Sequence, residues 1–170
     1  MDVRDVQDLL GLAKALQEVS AREQRPTAPA LPNPQAVFDA LVTEPELREV
    51  SRQLFVDGHY AQAVEEAFKY LNNLVKRRSG LDADGSALMS KAFSLNKPYL
   101  KLSDLRTQSK KDQQLGYMQI LQGCMTGVRN PRAHEHRYLD DPRNALELLG
   151  ICNHLTRMVH ASTRARHRKN

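Results

Sequence analysis

Arg129 and His134 stand five positions apart in the stretch Gly127–His136, with Asn130 directly after the arginine. These side-chain types suit phosphoryl chemistry that needs no metal. A guanidinium presents a rigid fork to two phosphoryl oxygens and never loses its charge. An imidazole, with an unperturbed pKa of ~6.5, takes or gives a proton near neutrality. RNA carries its own nucleophile, a 2′-hydroxyl beside the phosphate it attacks. Three jobs then remain: removing the 2′ proton, stabilising the phosphoryl oxygens and protonating the leaving 5′ oxygen. With 16 Arg and 6 His in the chain, the spacing alone has about even odds of arising by chance. Its surroundings therefore carry the weight. The same residues also read as a helix end. Arg129 in a last turn meets the negative end of the helix dipole, Asn130 suits a left-handed terminal residue, and Pro131 stops a helix. The two readings are compatible, because a well-made helix terminus gives a reactive pair a fixed place.

The neighbours of this pair are weighed the same way. Arg132 is either a solvated charge or a contact to a phosphate backbone. His136 makes His-x-His with His134, but structural zinc wants four ligands at typical spacings and both cysteines lie elsewhere, so no metal is expected. Glu135 reads as an exposed acid or a partner to a histidine. Glu65 and Glu66 read as a solvated helix face, or as groups that orient the site. His154 and His160 lie six apart, off one helical face, and read as structural. Cys124 and Cys152 have no metal-ligand spacing and read as reduced core residues.

The elements that must hold these residues are helical. Leu9, Leu12, Leu16 and Val19 mark an amphipathic helix in residues 1–24, which cannot bury its own stripe and needs somewhere to dock. Four prolines between Arg25 and Pro34 make 25–34 an extended linker. A helical domain follows over 35–163. Short helices are expected at Gln35–Val42 and Pro45–Val56, and a long one at His59–Arg78, where Ala61, Val64, Phe68, Leu71 and Val75 share a face. Asp84 opens a shorter helix. The segment Tyr99–Lys111 is irregular or a turn of helix. Asp112–Val128 is the second main helix, ending in the motif as a loop. Gly116, Gly123 and Gly127 lie within it, and helix-interior glycine costs about 1 kcal/mol relative to alanine. Such placement implies close approach by another backbone, from a neighbouring helix or a twofold-related copy. Asp141 caps the last helix with Pro142 in its first position, and its seam reaches about Ser162. Residues 164–170 form a basic tail. The fold class is all-α, a bundle of four to five helices with an additional N-terminal amphipathic helix.

Charge narrows the function classes. The formal net charge is +5, and Arg164, Arg166, Arg168 and Lys169 supply four of those charges. The near-neutral remainder argues against a broad basic face for duplex nucleic acid, and no helix is basic enough on one face for a DNA-reading module. A small anionic site or a short single strand remains open. No apolar run reaches the ~18 residues of a membrane span. Asp2, Asp5 and Asp8 are unlike the basic start of a secretory signal, so the expected compartment is the cytoplasm.

The run from Leu102 to Glu135, LSDLRTQSKKDQQLGYMQILQGCMTGVRNPRAHE, and the earlier FVDGHYAQAVEEAFKYL resemble the Ymh-like family of the HEPN superfamily. The resemblance covers roughly Leu47 to His160. It implies a HEPN-like helical bundle and a metal-independent endoribonuclease of toxin, abortive-infection or antiphage-defence type, leaving 2′,3′-cyclic phosphate and 5′-hydroxyl ends. Arg129 and His134 carry over as the catalytic pair, with Asn130 and Arg132 supporting or orienting the phosphate and Glu65, Glu66 and His136 as further candidates. It also implies an RNA substrate, no cofactor, and a homodimer whose two motifs face one another across a composite cleft. A neutralising or regulatory partner would use the N-terminal helix. The alternative is a catalytically silent HEPN-like nucleotide-binding or protein-interaction module.

Overall fold

Proline placement sets three helix starts. Pro34, Pro45 and Pro142 each occupy the first turn of a helix, where the missing N–H would have had no partner. The computed structural model describes residues 33–134 and 140–165. The chain divides between Leu31 and Pro32, and every described residue lies in the second unit. The N-terminal arm, residues 25–32 of the linker, Glu135, His136 and the tail beyond Ala165 lie outside the described residues.

The order is α1 (Pro34–Leu41), α2 (Pro45–Val56), α3 (Tyr60–Ser79), α4 (Gly85–Ala92), β1 (Leu100–Lys101), α5 (Gln108–Gly123), a π-helical segment (Cys124–Arg129), α6 (Asn130–His134), α7 (Pro142–Ala161) and β2 (Thr163–Arg164). The architecture is an all-α bundle. Helix α3 is its centre, packed between α2 and α7 and against the π segment. Its buried face includes Val64, Phe68, Leu71 and Val75, the stripe expected from the sequence. Phe38, Phe55, Phe68, Phe93, Leu88, Met89 and Met125 fill the core around it. Truncating a buried phenylalanine such as Phe68 costs roughly 3–5 kcal/mol through lost burial and the cavity left behind.

Local signals explain the ends. Asp84 accepts from the Gly85 N–H at 3.0 Å, and Asp141 accepts from the Asn144 N–H at 2.9 Å, so the expected acidic caps are in place. Gly80 ends α3 at φ 74°, a left-handed conformation that glycine adopts without a Cβ penalty. Among the described residues no helix is long and apolar enough to cross a membrane.

Several features depart from expectation. Helix α5 starts at Gln108, not Asp112, because the Thr107 side chain caps it by accepting from the Lys110 N–H. Gln114 is fully buried in α5, which no apolar periodicity reveals. Its amide donates to Phe93 and Leu100 carbonyls at 3.0 and 2.9 Å and accepts from the Leu102 N–H at 3.0 Å. That satisfied amide clamps α5 onto the segment before it. Leu100 and Lys101 pair antiparallel with Arg164 and Thr163, a short ladder that closes the chain after α7. The 127–134 stretch, expected as a loop, is helical throughout.

Candidate functional site

Pro131 shapes the motif. A proline inside an α-helix donates no hydrogen bond, and its ring collides with the carbonyl four residues earlier, here that of Gly127. Just before it the chain widens into a π-helix from Cys124 to Arg129, with the Asn130 N–H bonded to the Met125 carbonyl. Adding one residue to the turn loosens the backbone that the ring must fit. Asn130 then keeps right-handed helical angles, φ −64° and ψ −43°, and α6 continues to His134. The helix-stop reading of Asn130 and Pro131 is therefore corrected: the proline is absorbed by a π turn instead of ending the helix.

Arg129 closes the π segment and is half-buried. Its Nη1 donates to Asn130 Oδ1 at 3.4 Å, a long bond. Its Nε is buried without a hydrogen-bond partner among the described residues. Among those residues no carboxylate forms an ion pair with it. His134 is exposed at the end of α6. Residues five apart on a helix stand about 140° apart around its axis. Arg129 and His134 therefore share one helical run but project from different sides of it. The chain does not preassemble them as a touching pair.

The solvated-charge reading of Arg132 is corrected, because the side chain is buried. Its guanidinium and the Asp140 carboxylate are each 2% exposed. Nε and Nη2 grip Asp140 at 2.7 and 2.8 Å, and Nη1 donates to the Val128 carbonyl at 2.8 Å. Asn144 adds a bond to the same carboxylate at 2.6 Å. This clasp ties α6 to the start of α7. The Asp140-Asp141 doublet holds the missed signal, since a helix start needs only one cap.

Helix α3 faces the motif, packing on both the π segment and α6. Glu65 and Glu66 are half-buried there. Glu66 pairs with Lys69 at 2.9 Å, a lysine that the sequence reading did not single out. The carboxylate of Glu66 holds the Lys69 ammonium above the usual lysine range, against the opposing charge of Arg129. Among the described residues no group of His, Cys, Asp and Glu is placed to hold a metal. Burial pushes the Cys124 and Cys152 thiols up, which leaves both poor nucleophiles.

A second feature lies on the outer side of α5. Gly116, Ile120, Gly123 and Gly127 recur at four- and three-residue steps. A Cβ added at any of the three glycines would meet nothing within 4 Å. The close approach expected from them is thus not made inside the described chain. Ile120 on this stripe is 49% exposed and Ile151 on α7 is 45% exposed. Between α5 and α7 lies a groove of about 530 Å³ lined by Tyr117, Ile120, Gly150, Ile151, His154 and Leu155. Tyr117 Oη and His154 Nε2 are hydrogen-bonded at 2.7 Å at its edge.

No curated protein and no solved structure matches the chain. A family model does, described as "Protein of unknown function (Hypoth_ymh)", over residues 42–159. That span runs from just after α1 to near the end of α7 and includes Arg129, His134 and the π segment. The chain belongs to the Hypoth_Ymh family.

Proposed function

We propose that this chain is a metal-independent endoribonuclease of the HEPN type, with a toxin or antiphage-defence role. The observation that carries the reading is Arg129. It is a half-buried arginine with an unsatisfied Nε, presented at the end of a π turn beside Asn130 and five residues before an exposed histidine. An arginine left short of hydrogen-bond partners among the described residues at a π-helical turn is suited to an anionic ligand.

The reaction follows from the residue types. A histidine takes the 2′-hydroxyl proton while that oxygen attacks the adjacent phosphorus. Arg129 binds the phosphoryl oxygens as negative charge grows on them. The bond from phosphorus to the 5′ oxygen breaks, and a second histidine protonates the departing oxygen. The products are a 2′,3′-cyclic phosphate and a 5′-hydroxyl, and no water is consumed. One chain supplies one His134, so separate acid and base roles require a second copy. The open glycine stripe on α5 and the apolar groove beside it are the surface for that copy. A twofold axis lets one patch meet itself, and Gly127 places the stripe two residues from Arg129.

The test is cleavage of total RNA in EDTA with analysis of the new ends. The wild type is expected to give cyclic phosphate and 5′-hydroxyl termini, and His134→Ala to lose at least a hundredfold in rate, the usual scale for removing a general acid or base. Equal cleavage by wild type and His134→Ala would sink the assignment. The second reading, a silent nucleotide-binding or interaction module, is favoured by the angular separation of Arg129 and His134 within one chain. It predicts ligand binding without any cleavage.

A further inference from the structure

We propose, resting on the ribonuclease reading above, that Arg132 and Asp140 are positioning residues for Arg129 and His134. Their buried ion pair fixes the π turn that presents Arg129 relative to the stretch that carries His134. One guanidinium reaches both flanks of the motif. Its Nη1 donates to the carbonyl of Val128 at 2.8 Å, the residue directly before Arg129 in the π segment. Its Nε and Nη2 hold the two oxygens of Asp140 at 2.7 and 2.8 Å. Arg132 and Asp140 bracket residues 133–139, which include His134 and His136. The same side chain therefore pins the backbone beside the arginine and both ends of the segment that bears the histidine. Asn144, in the first turn of α7, bonds Asp140 at 2.6 Å and so fastens the pair to the bundle.

Stability alone does not call for such a pair. Taking two charges out of water is expensive, and apolar residues of similar volume often serve a fold as well or better. What an apolar pair lacks is direction. A planar fork on a carboxylate fixes distance and angle together, whereas apolar groups of the right size leave the arrangement less unique. Direction matters at this place. Arg129 Nε has no hydrogen-bond partner among the described residues, and the bond from its Nη1 to Asn130 is long, at 3.4 Å. The aim of that guanidinium thus depends on the backbone beneath it, which the bond from Arg132 to Val128 steadies. A displacement of about 1 Å at a reacting group costs on the order of a hundredfold in rate.

The experiment compares wild type with three variants, after thermal melts rank their stability. Arg132→Met/Asp140→Leu fills the space without the ion pair. Asn144→Ala removes only the outer bond to Asp140. Val75→Ala truncates the buried face of α3 and controls for lost stability. Cleavage of RNA in EDTA gives kcat and KM. The NMR signal of the Arg129 Nε–H, assigned by its loss in Arg129→Ala, reports on the site without any cleavage. In the double variant kcat is expected to fall about a hundredfold, with KM close to that of the wild type and the Arg129 signal broadened or split. Asn144→Ala is expected to lose several-fold in kcat with the same change in the signal, and it decides the question should the double variant not fold. Val75→Ala is expected to keep both kcat and the signal at temperatures where it is folded. A fall in kcat with an unchanged Arg129 signal, or an equal fall in Val75→Ala, overturns the proposal. The two readings fail separately. If wild type cleaves no RNA but the signal still changes in the Arg132, Asp140 and Asn144 variants, the positioning role stands and the ribonuclease falls. If wild type cleaves and those variants cleave equally, the ribonuclease stands and the positioning role falls. A wild type that does not cleave, with a signal that none of them changes, overturns both.

Discussion

Arg132 and Asp140 make a specific demand on single residues. Both charges are taken out of water and grip each other, with further bonds from Arg132 to the Val128 carbonyl and from the Asn144 amide to Asp140. Removing one partner leaves the other buried without this ion pair, which destabilises by about 3–5 kcal/mol. Arg132→Ala and Asp140→Ala are each expected to show a loss of that size in urea unfolding, and the double variant much less than the sum of the two. Additive losses would mean that the two groups act independently. The clasp also shows what a linear reading can and cannot see. Asp141 was legible because capping is a local rule, with a hydroxyl or carboxylate a fixed few residues before its N–H partner. Arg132 was not, because its partner lies eight residues on, a separation that no local capping or periodicity rule covers.

At the scale of elements, the glycines of α5 separate intrinsic helix preference from packing. Gly116 and Gly123 sit in regular helix with open space where a Cβ would go. Replacing either with alanine removes the backbone entropy cost of glycine and meets no atom of the described chain. Each of Gly116→Ala and Gly123→Ala is therefore expected to raise the stability of the dilute chain by about 1 kcal/mol. If the stripe is an interface between copies, the same methyl groups hold two backbones apart. The variants are then expected to be more stable as single chains and weaker as dimers, which chemical unfolding and sedimentation equilibrium measure side by side. A gain in stability with unchanged association would remove α5 from the interface. Helix lengths and the α3 stripe were readable from apolar periodicity. The π segment was not, because Val-Arg-Asn-Pro is written like a helix end. Whether the backbone stops or widens at a proline depends on what packs there. Here α3 lies against the π segment and α6, and Met125 of the widened turn is fully buried.

For the whole molecule, the decisive question is where the second histidine comes from. Arg129 and His134 leave their helical run about 140° apart, so within one chain they address different sides. A twofold-related copy resolves this if the arginine of one chain and the histidine of the other line the same cleft. That arrangement predicts complementation between dead variants. Arg129→Ala and His134→Ala are each expected to be inactive alone. Mixed under conditions that exchange subunits, half of the assemblies become heterodimers at equal amounts. The composite cleft of each heterodimer keeps one intact Arg129 and one intact His134, whereas the cleft of either variant's homodimer lacks one of the two types altogether. Partial RNA cleavage should therefore return, and it should depend on total protein concentration. Ile120→Glu, placed in both variants, puts a charge on the exposed stripe and should abolish the recovery by keeping the chains apart. If the mixture stays as inactive as its components while sedimentation shows that heterodimers form, the cleft is not shared in this way. The two groups would then have to act within one chain, across a substrate large enough to reach both sides of the helix.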